Sequence, residues 1–242
     1  MRALTLVLLT SLCLAPVGAE ARARRHGHAP RAQPVVVELF TAQGCGSCDP
    51  ANAVLKRLSD RGDVIALTYS VDYWDYTGWT DTFAKPEFTE RQQAYVDRLK
   101  LREIYTPEIV VDGQRETAAL DGDKVDALIS RAAKARRTQG GALAIRRKGR
   151  QVEVRGAGGP GGPAAVWLVR YEPGAHSVRV KGDDRKMRTV TETNVVRELT
   201  RLGLWRGTAK RYALPPPAAE DLKSVVIVQG RDGGRILAAA RL

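Results

Sequence analysis

The chain has 242 residues, 43% of them hydrophobic and 27% charged, with a formal net charge of +12. This balance excludes wholesale disorder, and at roughly 100–200 residues per domain the length allows one large domain or two small ones. The only long apolar run lies at the N-terminus and is too short to cross a bilayer, so no stable membrane span is expected.

The first residues read as an export signal. Arg2 is the charged start, Ala3 to Ala15 the apolar stretch, and Pro16-Val17-Gly18-Ala19 the small-residue cleavage site, with Ala21 and Ala23 as alternatives. Length disfavours a membrane anchor. Cys13 lacks the small residues that precede a lipoprotein cysteine. Cleavage near Ala19 to Ala23 would place the mature protein in the periplasm or outside the cell. It would also remove Cys13 and lower the charge to +11, since residues 1–19 hold one Arg and no acid. Cys45 and Cys48 would then be the only thiols, in an oxidising compartment. Glu20 to Pro34 is polar and basic and reads as a disordered leader; His26 and His28 within it make a poor metal site.

From residue 35 to 139 the order is strand, Cys-x-x-Cys, helix, strand, helix, strand, hairpin strand, helix. Val35 to Phe40 is a β-branched run and hence a buried strand. Cys48 to Leu58 follows as a helix, with Pro50 acceptable in its first turn. Val64 to Val71 is the second strand. Asp72 to Phe83 is a loop holding Tyr73, Trp74, Tyr76 and Trp79. Pro86 to Leu99 is helical, Ile109-Val110-Val111 is the third strand, and Asp112-Gly113 signals a hairpin to Glu116–Leu120. Asp123 to Ala135 closes the segment as a helix.

Gly140-Gly141 marks a change of character. Residues 140–242 read as short strands separated by Gly- and Pro-rich turns such as Gly158 to Pro163, which suggests a small, mainly-β, sandwich-like domain. Its strands are Leu143–Arg147, Gln151–Arg155, Val166–Tyr171, Ser177–Val180, Ser224–Gln229 and Arg235–Leu242. Thr189–Leu199 suits either strand or helix, and Pro215-Pro216-Pro217 is a stiff spacer.

The chemistry concentrates at Cys45-Gly46-Ser47-Cys48. A helix N-terminus offers free N–H donors and a positive partial charge, which favour a thiolate. The two-residue gap lets the second thiol close a disulfide on the first. Cys45 is expected to be the exposed, attacking thiol and Cys48 the more buried, resolving one. Thr106-Pro107, just before the third strand, is expected to be a cis bond facing the pair and offering backbone groups to a substrate chain. Trp74 and Trp79 would roof the site and bind an unfolded segment; the competing reading packs these rings against the core. Asp72, Asp75 and Asp81 read as solvated or capping acids rather than a metal site. His176 and Ser177 show no nucleophile motif.

With these residues the chain resembles the thioredoxin-like superfamily. More closely, it is similar to the secreted bacterial family known as domain of unknown function 1223. The matching stretches are VVVELFTAQGCGSCDPAN, VDYWDYTGWTDTFAKPEFTERQQAY, YTPEIVVDG, TNVVRELTRLGLW and GGRILAAARL. The resemblance implies an α/β thioredoxin-like domain and export, but no settled activity. Against thioredoxins, Gly44 stands in place of Trp, Gly46-Ser47 in place of Gly-Pro, and Leu39 in place of a buried proton-relay Asp. Glu38 is the neighbouring candidate relay, although successive strand residues face opposite ways. Asp49, where the closer family usually has Pro, would oppose a thiolate on Cys48 while suiting the helix N-terminus.

Three functions fit. The first is a thiol–disulfide oxidoreductase acting on envelope protein thiols or disulfides. The second is a binding module that keeps Cys45–Cys48 as an inert disulfide. The third is a metal-handling protein, for which two thiolates are too few for zinc but would suit Cu(I). No cofactor and no nucleic-acid partner are expected; the basic surface would attract anionic polymers or headgroups weakly. Oligomeric state is not legible in the sequence.

Overall fold

A computed structural model of the chain describes residues 33–138, 143–156, 162–181 and 186–242. The expected signal and most of the leader, His26, His28, the boundary at 139–140 and part of the Gly158–Pro163 turn lie outside the described residues. Residues 32–242 form one compact unit.

Among the described residues there are eleven strands and three α-helices. Strand β1 (Val35–Thr41) leads through the cysteine turn into α1 (Asp49–Ser59), followed by β2 (Val64–Ser70) and a single 3-10 turn, Asp75–Thr77. Next come α2 (Pro86–Leu99), β3 (Glu108–Val111), β4 (Arg115–Thr117) and α3 (Gly122–Thr138). The remaining strands are β5 (Ala144–Lys148), β6 (Gln151–Arg155), β7 (Ala164–Lys181), β8 (Met187–Trp205), β9 (Lys210–Ala213), β10 (Lys223–Gly230) and β11 (Ile236–Arg241).

The expected pair of domains, an α/β thioredoxin-like one followed by a small mainly-β one, is corrected by the sheet. One mixed sheet of eight strands runs β11-β10-β7-β8-β2-β1-β3-β4. Strands from both halves of the chain therefore share a single sheet, and the molecule is dominated by strand. The cause lies in β7 and β8. The sequence suggests two short strands where β7 runs unbroken for 18 residues. Pro173-Gly174, an apparent turn, is absorbed as a bulge: the register shifts between Glu172 and Ala175, and Gly174 N donates to Asn194 Oδ1 at 3.1 Å. Such a bulge tolerates the missing proline donor and bends the ribbon without ending it. Strand β8 then meets β2 in parallel at one position, Thr68↔Val195.

Strand alternation sends side chains to two faces. On one face Val36, Phe40, Ile65, Leu67 and Tyr69 join Val169, Val225 and Ile227 under Phe88 and Tyr95 of α2. On the other, Val35, Val37 and Leu39 pack against Leu55 and Leu58 of α1 and Val125 and Ile129 of α3. Farther along that face the cover is the three-stranded sheet β5-β6-β9, whose Val152, Val154 and Tyr212 meet Val166, Leu168 and Val226. Among the described residues no helix is long and apolar enough to cross a membrane.

Candidate functional site

Cys45 and Cys48 are joined, with S–S 2.04 Å and Cα atoms 5.5 Å apart. Two tight turns carry the chain from β1 to the pair: Cys45 N donates to Ala42 O at 3.1 Å and Cys48 N to Cys45 O at 3.3 Å. Cys48 is the residue immediately before α1, and Pro50 falls in the first turn, where its missing N–H costs nothing. Ser47 Oγ lies 3.6 Å from Cys45 Sγ.

The burial differs from expectation. Cys45 and Cys48 are both 0% exposed, so the sequence's distinction between an open and a hidden thiol does not hold in this state. Only Gly46 and Ser47 between them reach solvent. Beneath, the sulfurs belong to the apolar cluster of Phe40, Tyr69, Phe88 and Tyr95, against which Tyr73 and Trp74 pack.

The aromatic loop is tied to both sides of this arrangement. Trp79 Nε1 donates to Gln43 Oε1 at 2.9 Å, and Gln43 N donates to Asp81 Oδ2 at 2.6 Å. Trp74 Nε1 donates to Thr106 Oγ1 at 2.7 Å. The Thr106–Pro107 bond is cis, and Pro107 is buried. The loop thus bridges the residues before Cys45 and those before β3. Its acids serve as internal acceptors: Asp81 Oδ1 takes Phe83 N at 2.8 Å, Asp75 Oδ1 takes Asp81 N at 3.0 Å, and Asp72 Oδ1 takes Thr89 Oγ1 at 2.6 Å. Tyr76, by contrast, is 85% exposed.

Glu38 lies on the α2 face but is fully engaged. Arg91 grips it with Nε–Oε1 at 2.7 Å and Nη2–Oε2 at 3.1 Å, and Tyr95 Oη donates to Oε2. Gln229 joins through Arg91 Nη2 at 3.2 Å. This buried cluster ties β1, α2 and β10 together, and it leaves Glu38 a structural counterion rather than a free base.

Sequence reasoning missed several polar residues on β3 and β8. Glu108, next to Pro107, accepts from Gln92 Nε2 at 2.7 Å, and burial pushes its carboxyl up to about 7. Glu192 of β8 accepts from Ser70 Oγ at 3.1 Å; burial, aided by the Asp81 charge, pushes it up to about 8. Each keeps one buried oxygen without a partner, which disfavours the charged form. Burial also raises Asp81, against three backbone N–H donors. Arg188 of β8 reaches the cysteine turn: Nη2 donates to Gln43 O at 2.6 Å and to Cys45 O at 3.2 Å. Its Nη1 lies 3.4 Å from Asp49 Oδ1. Nothing in the local sequence pairs residue 188 with residue 45; only the length of β8 brings them together. Among the described residues no group of three or more His, Cys, Asp or Glu is placed to hold a metal ion.

No curated protein matches the chain significantly. Among solved structures, an endonuclease/exonuclease/phosphatase from Beutenbergia cavernae aligns at 22% identity over 42% of this chain and 23% of its own, with a TM-score of 0.14; at that score the likeness carries no argument. The crystal structure of protein AGR_C_4864 from Agrobacterium tumefaciens is similar at 30% identity, covering 88% of this chain and 96% of that one, with a TM-score of 0.71. Residues 36–229 match the family described as Protein of unknown function (DUF1223). That span runs from β1 through the cysteine turn to β10, so the chain belongs to the DUF1223 family.

Proposed function

We propose that the protein is exported and exchanges thiols and disulfides through Cys45–Cys48, with envelope protein thiols or disulfides as partners. The observation that carries this reading is the place of the bridge together with its span. The two cysteines are three apart in sequence, and closing so small a ring contributes only about 2 kcal/mol by chain entropy, against about 3 for a ring of 15 residues. A bridge this short is a poor brace. Its position at the head of α1 is one that favours a thiolate leaving group.

In the reductive direction, a partner thiolate attacks Cys45 Sγ. The Cys45–Cys48 bond breaks, and Cys48 leaves as a thiolate that takes up a proton. A second partner thiol then displaces Cys45 from the mixed disulfide. The partner loses two electrons and closes a disulfide; Cys45 and Cys48 gain them and become thiols. In the reverse sequence the Cys45 thiolate attacks a partner disulfide, one partner sulfur leaves as a thiolate, and Cys48 displaces the other, so the partner gains two electrons as two thiols and the Cys45–Cys48 bond re-forms. Because both sulfurs are buried, exchange requires local opening at the turn, and Trp74, Trp79, Thr106 and Pro107 would then line the path of the incoming chain.

The test is trapping combined with a potential. Cys48→Ala should accumulate mixed disulfides between Cys45 and envelope proteins on a non-reducing gel, and the wild-type couple should equilibrate with glutathione or dithiothreitol without unfolding. A second reading rests on the burial itself: a binding module with an inert bridge. A potential well below about −300 mV, with no adducts, would establish that reading instead.

A further inference from the structure

We infer that Arg188, contributed by β8 from the distant half of the chain, is a positioning residue that sets the redox poise of the Cys45–Cys48 couple. The inference rests on the exchange reading above. Its basis is a single guanidinium in three contacts with the cysteine turn: Gln43 O at 2.6 Å, Cys45 O at 3.2 Å and the Asp49 carboxylate at 3.4 Å. The first two fix the backbone that carries Cys45. The third pairs the cation with the acid that directly follows Cys48.

Reduction of the bridge places negative charge on this turn, since one or both sulfurs become thiolates. A cation held there stabilises the reduced form, and an anion there opposes it. Asp81 also bonds the turn, at Gln43 N, and Glu192 of β8 accepts from Ser70 Oγ. Burial raises both, while Arg188 and Asp49 form an opposed pair of charges in contact with the turn itself. Arg188 is partly buried, with 26% of its side chain exposed, so solvent screens it only in part. Asp49 is more exposed, at 55%, so the cation outweighs its partner. The contact also gives the long β7–β8 ribbon a role at the site: it delivers charge to a turn that Gly44, Gly46 and Ser47 leave without any.

The experiment compares Arg188→Met with Asp49→Asn in the full chain, reading the equilibrium of the couple with glutathione and the pH midpoint of Cys45 alkylation in the reduced protein. Loss of a nearby cation is expected to raise the Cys45 midpoint by about one unit. The equilibrium should then favour the disulfide by about tenfold, which corresponds to about 30 mV more negative. Asp49→Asn should move both readouts the opposite way, by a smaller amount. Arg188→Lys should keep the wild-type poise, because it keeps the charge, and it serves equally if Arg188→Met fails to fold. A merely mechanical clamp predicts that both neutralising variants loosen the turn and shift the couple in the same direction, or change rates alone; either outcome overturns the inference while leaving exchange intact. A wild-type couple that resists native dithiothreitol overturns the exchange reading and this inference with it.

Discussion

The end of the molecule that holds the disulfide and the small sheet β5-β6-β9 treat carboxylates in opposite ways. Around the disulfide, Asp81, Glu108 and Glu192 are buried and meet mainly neutral donors, so desolvation pushes them up. On the small sheet, Glu153 accepts from Arg155 at 2.6 Å and Arg211 at 3.1 Å, with Lys148 at 3.6 Å. Those cations pull Glu153 down to about 2. Exclusion of solvent without compensating charge marks the first region; dense charge facing water marks the second. The difference separates Glu108 and Glu192, whose carboxyls stand near neutral pH, from Glu153, which stands far below it.

The sharpest way to break this contrast is to turn Glu38 into another unpaired acid. Arg91→Ala removes its bidentate partner and should destabilise the fold by about 3–5 kcal/mol, read as a lower urea midpoint with an unchanged slope. Tyr212→Ala tests whether the small sheet stands on packing rather than on its surface charge. Tyr212 is 4% exposed, and its loss should cost about 3 kcal/mol, seen as a fall in thermal midpoint.

A smaller effect comes from pH. Glu108 and Glu192 have folded values above the unfolded one, so the stability they contribute is fully present below about pH 4.5 and is lost as pH rises through about 7 and about 8. Denaturant midpoints should therefore fall between pH 5 and 8, on the order of 1–3 kcal/mol in all, and Glu192→Gln should flatten the slope. Glu153 acts with the opposite sign, favouring the fold above pH 4.5 and losing that contribution as pH falls toward 2. Trp79→Phe deletes the bond to Gln43 and should loosen the cover by about 1 kcal/mol, so that dithiothreitol reduces the bridge about fivefold faster at an unaltered potential. Smallest of all, Glu153→Gln at neutral pH should lower the thermal midpoint only slightly, because its partners Arg155 and Arg211 are open to solvent.

Much of this was legible residue by residue. Continuous apolar runs locate β1 and β2, which are buried on both faces, and apolar stripes locate α1 and α2 closely, since they match the faces those helices bury. The Cys-x-x-Cys turn at a strand–helix junction is equally plain, because both residue type and spacing are local. What the sequence hides is non-local. Pro173-Gly174 looks like the end of a strand until Asn194 on the neighbouring strand captures Gly174 N. Lys210–Ala213 carries too few apolar residues to announce β9. The ties of Trp74 to Thr106 and Trp79 to Gln43 join residues far apart in sequence, and Arg188 reaches the turn only because β8 is 19 residues long.

The seam between β2 and β8 has a mechanical consequence. A single rung, Thr68↔Val195, joins them through the backbone. The remaining cohesion along that line comes from side chains: Thr68 Oγ1 to Thr193 O at 2.6 Å, Asn194 Nδ2 to Ala66 O at 3.0 Å, and Ser70 Oγ to Glu192. The eight strands therefore behave as two stiff plates riveted along one line. Force or heat should part them there first, freeing the amides that flank the rivets for solvent exchange while each plate keeps its own ladder.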